Sequence, residues 1–248
     1  MRTTHVWAGA VVSLLTALPA AAQDSPQALV ERAIQAHGGR ERLAQVRADR
    51  VKLKGKLVVG SAEVPFVGET AVQPPGQYKS VVLLNPEGKP HTVVHLVNGP
   101  RAGVFLDGEA QALQPAVAAQ LRHTLALDQA MRLVPLLTEP TFALAPADPI
   151  KINGRPADGV KVTVRGQQEL KLYFDRQTAL LVKTEHSLPA PGGKVVKHEG
   201  YYGAFRDLGG YMRPTRVVAY RDGKKVMEAQ LLEARALERI DPAEFDRP

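Results

Sequence analysis

The sequence predicts an α+β fold that is mainly antiparallel β, and three observations carry that expectation. From Val51 onward apolar residues recur at every second position, as on a half-buried strand. The alternating runs are punctuated by Asn98-Gly99, Asp107-Gly108, Asn153-Gly154 and Asp222-Gly223, dipeptides that supply the left-handed conformations of tight hairpins. Helical spacing is confined to the beginning and the middle of the chain. The pattern is a meander rather than a series of βαβ units.

Residues 1–22 read as an export signal. Arg2 and His5 precede an apolar run, residues 6–18, and Pro19 with Ala20-Ala21-Ala22 supplies the small residues of a cleavage site. That run is shorter than the ~20 apolar residues a spanning helix needs. Residues 23–248 are then expected to form one exported, periplasmic domain. Without cysteine, the chain has no disulfide, no thiolate metal ligand and no residue for a lipid anchor. Its formal net charge is +7, of which Arg2 leaves with the signal, and the basic residues are dispersed. Dispersed positive charge is compatible with transient contact with an anionic membrane surface, and it argues against nucleic acid.

Ser25 is placed as an N-cap with Pro26 behind it, and Leu29, Val30, Ala33, Ile34 and His37 follow at helical spacing until Gly38-Gly39 stops the helix. Residues 40–46 add a short second helix. On the first strand Val51, Leu53, Leu57 and Val59 alternate with Lys52, Lys54 and Lys56, giving one apolar and one basic face. Val64, Phe66, Gly68 and Thr70 repeat the pattern more weakly. Strands over residues 78–84, 91–97 and 102–106 are separated by the turns at 74–76, 86–89 and 98–99. Between residues 115 and 137 the period becomes helical, with Pro135 expected to kink or end the helix. Period two then returns at residues 151–152, 160–164, 170–174, 180–186, 195–204, 212–220 and 226–237.

No H-E-x-x-H, G-x-S-x-G, G-x-x-x-x-G-K or G-x-G-x-x-G occurs, so the commonest motif-borne chemistries have no support. His91 and His95 share a strand face, but four residues of strand separate their Cα atoms by about 13 Å. They cannot chelate one metal by themselves. His123, His186 and His198 have no ligand spacing, and no metal or other cofactor is expected. Glu185 and Glu199 fall on adjacent strands, where ladder pairing is the ordinary use of such residues. No catalytic residue is assigned. What remains is a large sheet with one apolar face and helices available to cover it, enclosing either a core or a cavity.

The order of several segments adds a resemblance. "AHGGRERLAQVRA" (36–48), "KGKLVVG" (54–60), the mid-chain helix, "FDRQTALLVKTE" (174–185), "GYYGAFRDLGGYMRPTRVVAY" (200–220) and "ALERIDPAEFDRP" (236–248) resemble the LolA-like outer-membrane lipoprotein-sorting superfamily. The resemblance implies a curved half-barrel sheet whose concave apolar face is closed by helices acting as a lid. It also implies a non-catalytic carrier that shields the acyl chains of a lipid or lipoprotein and exchanges them with a membrane-bound donor or acceptor protein. By alternation the inward candidates are Val51, Leu53, Leu57, Phe66, Val82, Leu84, Val93, Val104, Leu172, Phe174, Leu180 and Val182. The lid candidates are Leu29, Ile34, Leu121, Leu125 and Met131. The alternative is an interaction module of the same fold that senses or scaffolds envelope components, with a filled core and no lipid cargo.

Overall fold

The computed structural model describes residues 24–85, 88–190 and 192–248. The expected export signal therefore lies outside the described residues. The chain begins with α1 (Pro26–Ala36) and α2 (Arg40–Gln45) and continues through β1 (Ala48–Val59), β2 (Ala62–Gln73), β3 (Gln77–Leu84), β4 (His91–Asn98), β5 (Arg101–Leu106) and β6 (Glu109–Ala110). Helices α3 (Pro115–Met131) and α4 (Pro135–Thr138) follow. The second series is β7 (Phe142–Ile152), β8 (Arg155–Val164), β9 (Leu170–Asp175), β10 (Leu181–Pro189), β11 (Val195–Asp207), β12 (Met212–Arg221) and β13 (Lys224–Leu237), with a final 3-10 turn at Pro242–Phe245.

All the strands join one antiparallel sheet, in the order β6-β5-β4-β3-β2-β1-β13-β12-β11-β10-β9-β8-β7. The first and last strands pair at its centre, so β6 and β7, consecutive in sequence, occupy opposite edges. Laid flat, thirteen strands would place those edges roughly 58 Å apart, whereas the 17-residue α3 is about 26 Å long. The sheet curls, and α3 crosses its hollow from β4 and β5 to β10. The edges do not meet, and the sheet stays an open half-barrel.

The interstrand register separates two faces. Asp49, Val51, Leu53 and Leu57 lie level with Val72, Thr70, Gly68 and Val64 of β2, and the same rows continue through Tyr78, Ser80 and Val82 to Val97, His95 and Val93. This is the concave face. Ala48, Arg50, Lys52, Lys54 and Lys56 occupy the other, where Lys52 meets Glu69 and Glu233 and Lys56 meets Glu63. Phe245 covers part of that outer face, packing with Ala48, Ala71, Leu96 and Ile240.

Helix α1 forms where Ser25 Oγ accepts the Ala28 N–H and Pro26 presets the first turn. Its buried stripe, Leu29, Val30 and Ile34, packs on Val160, Val162, Leu170, Leu172 and Phe174. It ends at Gly38, where an added Cβ would stand 2.3 Å from the Gly210 carbonyl oxygen. The two Gly-Gly pairs thus dock on each other. Met212 N–H donates to His37 O across the same contact.

Two expectations needed correction. Strand β7 begins at Phe142 rather than Lys151, and it accommodates Pro146 and Pro149 because it is an edge strand, where missing donors cost little. Helical structure between 115 and 137 divides at Leu133, which has φ of 65°, leaving Pro135 at the first position of α4.

Candidate functional site

Between the central strands and α3 lies a cavity of about 240 Å³. Val51 and Leu53 of β1, Leu231 and Ala234 of β13, and Val217 of β12 form its sheet wall, while Met131 and Leu133 close it from the helical side. These side chains are inward because strands alternate. They remain partly uncovered because they lie beside the C-terminal end of α3, whose middle packs on the walls of the hollow.

One end of the cavity is polar. Asp49, at the start of β1, accepts from Arg132 Nη2 at 3.1 Å and from both Nη1 and Nη2 of Arg213 at 3.4 Å. Arg132, just past the end of α3, also donates to Asp128 Oδ2 at 2.8 Å and to Val46 O at 3.1 Å. It therefore ties the helix end to the chain entering β1. Burial pushes the Asp128 carboxyl up against the opposing pull of Arg132. His37 stays neutral, since burial lowers its pKa while Nδ1 donates to Ala33 O and Nε2 accepts from Leu181 N–H.

The expected inward residues divide into groups. Val51, Leu53 and the lid residue Met131 line the cavity. Leu57, Val82, Leu84 and Val93 continue the concave face beyond it and are half-buried, and Phe66 there is buried. Val104 packs with Leu121 and Leu125 of α3 against Val72 and Val97. Leu172 and Phe174 are fully buried under α1 with Leu29 and Ile34, in solid core rather than groove.

Leu180 and Val182 are a correction. The β9–β10 register shifts between Leu181 and Lys183, which inverts the alternation. Leu181 joins the core, while Leu180 and Val182 line a depression of about 870 Å³ on the outer face. This larger hollow is shallow and open. Its wall holds Lys183, 2.6 Å from Glu199 and 3.1 Å from Glu185, with Lys197 bridging the same carboxylates and Tyr173 and Tyr201 flanking the ammonium. Burial opposes ionisation of Glu185 and Glu199, yet the lysines win and hold both carboxyls below their usual range. Ladder pairing describes these residues, and neither is poised as a general acid.

The sequence does not show that His123, His186 and His198 are neighbours, since their separations are long and irregular. The His123 and His186 rings lie 4.5 Å apart and those of His186 and His198 stack at 5.1 Å, joining α3 to β10 and β11. Both ring nitrogens of His123 and Nδ1 of His186 are buried without a well-formed hydrogen bond. Burial lowers the pKa of His123 to about 4 and that of His186 to about 3. Among the described residues no three His, Asp or Glu side chains are placed to hold one metal ion.

No family model matches the sequence, and no curated protein is significantly similar to it. Solved structures are. A LolA superfamily protein from Nitrosomonas europaea superposes with a TM-score of 0.53 at 14% identity, covering 90% of this chain and 98% of that one. The fold is LolA-like. A DUF1329 family protein from Desulfovibrio piger superposes with a TM-score of 0.56 at 9% identity, over 90% and 98% of the two chains. An outer-membrane lipoprotein-sorting protein domain from Vibrio parahaemolyticus gives 0.52 at 8% identity, over 89% and 96%. The LolA-like half-barrel and its helices thus persist at identities where only the architecture is shared. No described helix is long and apolar enough to cross a membrane.

Proposed function

We propose that this protein is an exported, periplasmic carrier or binding protein for the acyl chains of lipids or lipoproteins, acting without a chemical step. The observation that carries this reading is the largely apolar cavity at the C-terminal end of α3, on the same concave face as half-buried valines and leucines. Each methylene removed from water gains ~0.8 kcal/mol, so a groove of this composition can extract a chain that a bilayer would otherwise retain. Helix α3 packs on both walls of the hollow, through Leu121 and Leu125 on one side and His123 on the other, and the cavity opens beside its C-terminal end. A chain can enter there, past Met131 and Leu133. A membrane-bound donor or acceptor protein and brief contact with an anionic surface complete the proposal.

The reading is tested by gentle purification of the full chain, organic extraction and mass spectrometry. Acyl chains at near-stoichiometric amounts are the expected result. A clean extract, together with no binding of added acyl probes, would remove the carrier proposal.

The outer depression supports a second reading, an interaction module whose partner docks on Tyr201, Tyr220 and Val218 rather than in the groove. Substituting Tyr220→Ser would impair such a module and leave acyl-chain binding intact.

A further inference from the structure

Arg213 is an under-used charge at the edge of the cavity. A guanidinium has five N–H donors in a fixed fork. Arg132 aims its donors at three acceptors, the side chains of Asp128 and Asp49 and the backbone oxygen of Val46. Arg213 aims two at one oxygen, Asp49 Oδ2, each at 3.4 Å, the outer limit of a hydrogen bond, and it makes no other hydrogen bond among the described residues. Asp49 is itself shared with Arg132. The cation is three-quarters buried yet borders open space, because it lines the cavity together with Val51, Leu53, Val217 and Met131.

Two guanidiniums face two carboxylates, but Asp128 is engaged by Arg132 alone and Asp49 is shared between Arg132 and Arg213. A buried charge with loose partners is costly, and a charge-assisted fork to a second anion would relieve it.

We propose that the cargo of this groove is a single-chain amphiphile with an anionic head, carboxylate or phosphate, which seats the head on Arg213 and runs its chain along β1. The inference rests on the acyl-chain reading above and specifies its ligand class. From Val51 to Leu57 the strand advances roughly 20 Å, a path lined by Leu53 and its neighbours. Asp49 serves as the internal substitute that holds Arg213 when no anion is bound.

The test uses the full chain and a matched probe pair, cis-parinaric acid and its methyl ester, followed by fluorescence. The wild type is expected to bind the acid at least tenfold more tightly than the ester. Arg213→Met should collapse that ratio towards one, and Arg213→Lys should restore part of it, with urea midpoints confirming that the variants are folded. Equal affinity of the wild type for acid and ester would overturn the anionic-head inference while keeping the acyl-chain reading. A ratio that survives Arg213→Met would overturn the assignment to Arg213. Failure to bind either probe would defeat both proposals. Competition by palmitate, by 1-palmitoyl lysophosphatidic acid and by hexadecanol then separates the sources. Displacement by either anion at lower concentration than the alcohol supports the inference and names the head, and no advantage over the alcohol overturns it.

Discussion

The two halves of the sheet use the same alternating pattern to different ends. Across β7–β10, α1 lies directly on the strands, and Leu172, Phe174, Val160 and Val162 are completely buried against Leu29, Val30 and Ile34. Across β1, β12 and β13 the cover includes the C-terminal end of α3 with Arg132 and Leu133, and Val51, Leu53, Val217 and Leu231 line the cavity beside it. The difference comes from the cover. Where helices dock along their length the concave surface is filled, and beside the end of α3 a cavity is left.

The sharpest way to break this comparison is a large-to-small change in the packed half. Phe174→Ala should cost about 3–5 kcal/mol, read as a lower urea midpoint, because its neighbours cannot collapse into the space. A cost near 1 kcal/mol would mean that the packed half is not solid.

Next in size is the tie at the end of α3. Arg132→Met leaves Asp49 with Arg213 alone and should cost roughly 2–3 kcal/mol. Hydrogen exchange should accelerate most at the C-terminal end of α3, which Arg132 ties to β1. No change there would contradict that tie.

Acid should act on the middle of α3. Burial holds His123 at about 4 in the folded protein, below the ordinary 6.5, so the unfolded chain takes up the proton first as pH falls. Stability is fully present above pH 6.5, declines as pH drops, and stops declining near pH 4, where the folded form protonates too. The loss is up to about 1.4 kcal/mol per pH unit, or about 1.5 kcal/mol between pH 6.5 and 5. His186 adds to it, reduced by solvent screening. His123→Leu should flatten this part of a pH series of melting curves.

The smallest effect is expected in the open half. Leu53→Ala should cost about 1 kcal/mol or less, because the side chain already borders a cavity. Its consequence should appear in weaker binding of an acyl probe. A stability loss matching that of Phe174→Ala would erase the distinction between the halves.

Much of this architecture is legible along the chain. The Ser25-Pro26 cap, the Asn-Gly and Asp-Gly turns and the alternation of Val51 and Leu53 with lysines are local signals, and each element they imply is present. Strand β7 is obscured by Pro146 and Pro149, whose tolerance depends on lying at an edge. Leu180 and Val182 are misplaced because a register shift is invisible to periodicity. The polar end of the cavity is hidden for a different reason. Asp49, Arg132 and Arg213 come from three distant segments, and nothing near any of them in sequence marks the others as partners.

The sequence by itself therefore determined the antiparallel strands, their apolar face and the interrupting helices, since these depend on dihedral preferences and on side-chain periods of two and 3.6. Only the tertiary structure decided which half of that apolar face is filled, which is left open, and which charges gather at its end. Those outcomes depend on where β1 meets β13 and on how a short helix sits in a curled sheet, relations between residues far apart in sequence.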